Sequence, residues 1–128
     1  MELKQKRVEE SKEFLRKVLT GDIKAFTSDF NLDSVAIVMN AKKCRPQDII
    51  NFLLKIMSYE GLTIYSLNML DRLVAAKYMR DYKLTFDDAV TYFVTKSLGI
   101  NELVSFDSKD FKGLPGIKTL DPIDVLKR

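Results

Sequence analysis

Histidine and tryptophan do not occur in this 128-residue sequence, and cysteine occurs once, at Cys44. Each absence removes a class of chemistry. Without histidine there is no Ser-His or Cys-His nucleophile pair, and zinc sites of the Cys/His type go with it. A single cysteine forms no disulfide within the chain, which fits a reducing cytoplasm. Cys44 itself, in KKCRP, reads as an incidental surface or helix-end residue. Any metal must take oxygen ligands, and those select magnesium, manganese or calcium. No apolar run approaches the ~20 residues of a membrane span. The opening MELKQKRVEESKEF is charged and helical in pattern, unlike a secretory signal. Repeats and low-complexity segments are missing too.

What is present suits a globular chain. Apolar residues make up 46% of the sequence, enough for a real core, and the length predicts a single domain over residues 1–128. The net charge of +3 is compatible with a nucleic-acid partner but does not require one. Residues 4–20 carry a helical stripe of Phe14, Leu15, Val18 and Leu19, closed by Gly21. Ile23 to Ser28 reads as a short strand, and Asn31 to Lys42 as a helix with Leu32, Val35, Ala36 and Met39 on one face. A third helix opens at Pro46 and stops before Gly61. The β-branched and aromatic run Leu62 to Tyr65 is the next strand. Helices over about Asn68 to Tyr82 and Thr85 to Leu98 follow, with Phe86, Ala89, Val90, Phe93, Val94, Ser97 and Leu98 as the buried stripe of the second. ELVSF and, after the turn GLPG, GIKTL complete the strands. Helices alternating with short apolar strands predict a three-layer α/β/α domain around a parallel sheet.

Acidic residues then gather at one edge. The helix from Thr85 runs roughly 20 Å, and the strand Glu102 to Phe106 returns about 15 to 17 Å the opposite way. The helix start and the strand end therefore share an edge, which brings Asp88 near Asp107. That is the carboxyl end of the strand, where open α/β sheets place their sites. Clustered carboxylates repel unless a cation neutralises them, so an acidic, histidine-free edge is a candidate for a divalent ion. Local roles compete with this reading. Asp87 and Asp88 suit a helix first turn, and Asp107 and Asp110 suit a turn.

The stretch LTFDDAVTYFVTKSLGINELVSFDSKDFKGLPGIKTLDP resembles the C-terminal half of PIN domains, the nuclease fold of VapC-type toxins and many archaeal ribonucleases. The matching elements are Asp88-Ala89 opening an apolar helix, then Ser105-Phe106-Asp107 after a strand, then Asp110-Phe111. The resemblance extends from about Glu9 and is strongest over residues 84–122. It implies a metal-dependent endoribonuclease with one or two Mg2+ or Mn2+ ions. Asp88 and Asp107 would be metal ligands and carry the catalysis, and Asp110 would be an outer ligand or would orient a water. Lys109 and Lys112 are candidates for phosphate contacts beside a solvated-surface role. It further implies RNA as substrate and, as in VapC-like relatives, a small antitoxin partner.

The sequence departs from the family twice. PIN domains begin with an apolar central strand ending in Asp-x-Asn, whose Asp is the first ligand. This sequence opens on what matches the following helix, so that strand and ligand are expected to be missing. The family's glutamate in the helix after TS falls at Ser34, with Asp33 beside it and Asp29 four residues earlier. Asp33 or Asp29 is then a candidate substitute metal ligand, and both aspartates also suit a helix N-terminus. Three consequences stay open. A segment upstream supplies the strand, another chain or an early segment fills the groove it leaves, or the lineage has lost catalysis. The rival function is a catalytically inactive PIN-like interaction module, with tyrosines as anchors or core edges. A receiver-like domain ranks below both, because no acidic pair follows a first strand.

Overall fold

The structure is a computed structural model and describes residues 2–104, 111, 113–120 and 122–127. Its elements follow the order α1 (Glu2–Thr20), β1 (Ala25–Ser28), α2 (Asp29–Ala41), α3 (Pro46–Met57), β2 (Leu62–Tyr65), α4 (Met69–Tyr82), α5 (Phe86–Ser97), β3 (Glu102–Val104), β4 (Lys118–Leu120) and α6 (Pro122–Leu126). The α/β class expected from the alternation is what is found, with short parallel strands between helices. The strands form two two-stranded sheets, β1 with β2 and β3 with β4. The chain divides into two compact units, one of Phe14–Ser66, the other of Met1–Glu13 with Leu67–Arg128.

In the unit Phe14–Ser66, the end of α1 is tied to the turn before β2 through the backbone. The Val18 carbonyl accepts the N–H groups of Gly21 at 3.2 Å and Gly61 at 2.8 Å, and the Leu19 carbonyl accepts that of Glu60 at 3.2 Å. These bonds satisfy the last carbonyls of a helix, which have no partner within it. The Gly61 carbonyl then takes the Ala25 N–H at 2.8 Å. That bond starts the parallel ladder, which runs from Ala25↔Leu62 to Ser28↔Tyr65. Val18, Ser28 and Tyr59 are buried here.

Ser28 ends β1 and caps α2, its hydroxyl accepting the Asn31 N–H at 3.1 Å. Helix α2 therefore starts at Asp29, two residues before the position the periodicity predicts, because a serine supplies the missing acceptor. Past Lys42 the chain turns through Lys43 at φ 64. Helix α3 opens with Pro46 at its first position, and Asp48 accepts the Arg45 backbone N–H at 3.0 Å. The Arg45 guanidinium bonds to the same carboxylate and holds it below the usual carboxylate range.

In the unit with Leu67–Arg128, α4 and α5 form a helical hairpin. Asn68 caps α4 by accepting the Asp71 N–H at 2.8 Å, and Asp71 returns a bond to the Asn68 N–H at 3.0 Å. The core cluster is Tyr92, Phe111 and Leu114, with Tyr78, Leu84, Leu103 and Ile117 packed on it. The expected α5 stripe is corrected in part. Tyr92 and Thr95 are buried, whereas Phe93 is half-buried and Ser97 exposed. Tyr92 is accepted inside because its hydroxyl bonds the Pro115 carbonyl, and Thr95 because it bonds the Thr91 carbonyl at 2.7 Å. β3 and β4 pair in parallel from Glu102↔Lys118 to Val104↔Leu120.

Candidate functional site

The site expected from the sequence is built on the N-terminus of α5. Thr85 is the N-cap, its hydroxyl accepting the Asp88 N–H at 3.3 Å. That cap sets the phase of the helix. Ala89 and Val90 face inward with no exposure, Asp87 lies outside, and Asp88 sits half-buried between them. Asp88 is therefore at the boundary between core and solvent, at the positive end of a helix dipole, where a carboxylate is stabilised. The Asp87 carbonyl accepts the Thr91 hydroxyl at 3.1 Å, which leaves Asp87 with an ordinary first-turn role.

The return of the chain is described only in part. Helix α5 has 12 residues, about 18 Å. A tight turn through Gly99 at φ 70 leads into β3. β3 has 3 residues, about 10 Å. Asp107 and Asp110 lie outside the described residues, as do Lys109 and Lys112. Among the described residues, no group of three or more acidic or cysteine side chains is gathered for a metal ion.

Asp33 is exposed in α2. Because Ser28 caps the helix, the first turn holds Asp29, whose carboxylate accepts the Phe30 N–H at 2.8 Å. The first-turn role anticipated for Asp33 is thereby corrected, since it lies one turn further in. Ser34, the expected counterpart of the family's glutamate, is half-buried. Asp33 is about 100° around the helix from it. Ser34 lines a shallow apolar cleft of about 310 Å³ with Val35, Val38, Met39, Lys42 and Cys44. Cys44 is half-buried in this cleft and unbonded to sulfur, so the helix-end reading of it stands.

Tyr78, Tyr82 and Tyr92, expected only as anchors or core edges, are gathered into one aromatic cluster. Tyr92 lies one turn after Asp88 on the same face of α5. Its ring centroid is 5.0 Å from Tyr78 and 5.6 Å from Tyr82, and Tyr78 and Tyr82 are 5.8 Å apart. Burial first, then the neighbouring Tyr82 and Tyr78, push the Tyr92 hydroxyl up to about 12. Lys96 places its ammonium 5.6 Å from the Tyr92 ring centroid. The spacing Tyr78, Tyr82 was a usable signal, since i and i+4 share a helix face.

The family model of the PIN domain matches residues 3–116. Among solved structures, the chain is similar to a toxin-antitoxin complex from Klebsiella pneumoniae. Identity is 19%, the match covers 74% of this chain and 71% of that one, and the TM-score is 0.54. At that identity the likeness concerns the fold. No match was found among the curated proteins compared.

Proposed function

The chain belongs to the PIN-domain family, and from that premise we propose that it is a single-domain, VapC-like endoribonuclease dependent on Mg2+ or Mn2+. The observation that supports this best is the placement of Asp88, half-buried at the capped N-terminus of α5. It sits inside the segment that the family model covers. A carboxylate oxygen in that position is a hard donor of the kind magnesium and manganese take. In this reading Asp88 and Asp107 hold the ion, and Asp110 is an outer ligand or orients a water. The bound ion supplies a water of lowered pKa and charge stabilisation at the phosphoryl oxygens. Asp88 contributes negative charge at a fixed distance from the helix end, and Thr85 holds its backbone in place.

The test is cleavage of RNA by the purified protein with manganese. Asp88→Asn and Asp107→Asn are each expected to lose cleavage at least 100-fold while melting like the parent. Cleavage by Asp107→Asn at the parental rate would remove it from the mechanism.

The same reading includes a small antitoxin as partner, in keeping with the similar Klebsiella structure, which is a toxin-antitoxin complex. A second reading is supported by a different observation. Ile50, Leu53, Leu54 and Met57 form an exposed apolar stripe on α3, at the i, i+3, i+4, i+7 spacing of a helix-packing seam. With serine where the family has glutamate, the chain would then be an inactive interaction module, either self-associating or bound to another protein. That reading predicts normal folding with no metal-dependent cleavage at any ion concentration.

A further inference from the structure

Tyr82 is the last residue of α4, and it is 37% exposed. It is nevertheless held firmly. Its ring stands edge-on to Tyr92 at 86°, with centroids 5.6 Å apart, and lies 5.8 Å from Tyr78. Tyr92 is itself locked by full burial and by its bond to Pro115. An exposed aromatic ring already held in place loses little conformational freedom when something packs on its open side.

Its surroundings have a consistent character. Lys83 follows it directly, exposed, in the left-handed conformation that ends α4. Lys96 is exposed and rests over the Tyr92 ring. Tyr92 in turn is four residues, about 6 Å along the axis, from Asp88. A partly exposed tyrosine thus directly precedes Lys83 and stands edge-on to Tyr92, the ring that Lys96 rests over and that follows Asp88 by one helical turn. Aromatic faces interleaved with cations are how single-stranded nucleic acid is held, the rings taking bases and the cations phosphates. A base in a duplex has both faces covered by its neighbours, so only an unpaired base can use such a ring.

We propose that Tyr82 is a stacking platform for an unpaired base of the RNA strand engaged at Asp88, with Lys83 and Lys96 contacting adjacent phosphates. The proposal rests on the nuclease reading above and adds to it the residue that holds a base of the strand. Tyr82 binds and selects substrate and takes no part in the chemistry.

The full chain is assayed without divalent ions, where it is expected to bind RNA without cutting it, so affinity is measured separately from cleavage. By anisotropy of a labelled single-stranded oligoadenylate, Tyr82→Ala is expected to bind about 5- to 100-fold more weakly than the parent, and Tyr82→Phe to bind like it. The same sequence as a duplex should bind both equally. Since the chain has no tryptophan, Tyr82→Trp introduces a sole indole, whose fluorescence a stacked base should quench. This readout remains if Tyr82→Ala folds poorly. Unchanged affinity of folded Tyr82→Ala, or an indole indifferent to bound RNA, overturns the platform while leaving the nuclease reading to its own aspartate variants. A parent chain that binds no RNA overturns both.

Discussion

The hydroxyl of Tyr92 donates a hydrogen bond to the carbonyl of Pro115 at 2.8 Å, across 23 positions of sequence. It ties the middle of α5 to the turn that leads into β4. Tyr92→Phe keeps the ring and orphans that carbonyl, and is expected to cost about 0.5–1.5 kcal/mol in urea unfolding.

The same residue predicts an alkaline limit. Its folded-state pKa is raised to about 12, from 10.0. The folded chain therefore holds this proton where the unfolded chain has released it. The contribution is fully present below pH 10 and is lost as pH rises from there through 12. Unfolding followed by circular dichroism should show a fall over that window, and the fall should shrink in Tyr92→Phe.

Gly61 is where β2 meets the end of α1. A Cβ there would lie 2.2 Å from the Ile23 carbonyl oxygen and 2.8 Å from that of Val18. Both are backbone atoms, so no side chain can swing aside. Gly61→Ala is expected to destabilise the fold by at least about 1–3 kcal/mol. Because Gly61 also bonds Ala25, amide exchange in β1 should accelerate with it. A melt unchanged from the parent would remove the close approach.

Lys43 has φ 64 between α2 and α3, a conformation costly for a residue with a Cβ. Lys43→Gly removes that cost and adds some freedom to the unfolded chain. The net expectation is a gain of about 0.5–1 kcal/mol, measurable as a higher denaturant midpoint at unchanged slope. A loss would mean that the lysine side chain contributes more than its backbone costs.

The α3 stripe predicts how the chain associates. Leu54 is 58% exposed, so Leu54→Glu should leave stability within about 0.5 kcal/mol. It should also shift sedimentation velocity toward monomer. A parent chain that is monomeric at every concentration would sink self-association through this stripe.

Much of the secondary structure was legible because its causes are local. Thr85 before two aspartates marks a helix start, and Gly99 a helix end. Pro46 opens α3, and the run Leu62 to Tyr65 reads as a strand from its side chains alone. The start of α2 was misplaced by two residues because Ser28 serves both strand and helix, and periodicity does not register a cap. In the candidate site, Asp88 was legible from its place in the first turn. The aromatic cluster was not, because tyrosine has both an apolar ring and a polar tip, and the pattern does not say which will decide its burial.

By itself, the sequence determined the excluded chemistries, the helix boundaries marked by Pro46, Thr85 and Gly99, and the family to which the chain belongs. Only the tertiary structure decided that Tyr92 goes inside, that Gly61 must lack a side chain, and that Tyr82 stays partly exposed against Tyr92. Each of those depends on an atom brought close from elsewhere in the chain: the Pro115 carbonyl, the Val18 carbonyl, the Tyr92 ring. Burial and close approach are properties of such pairs, and no single position in a sequence carries them.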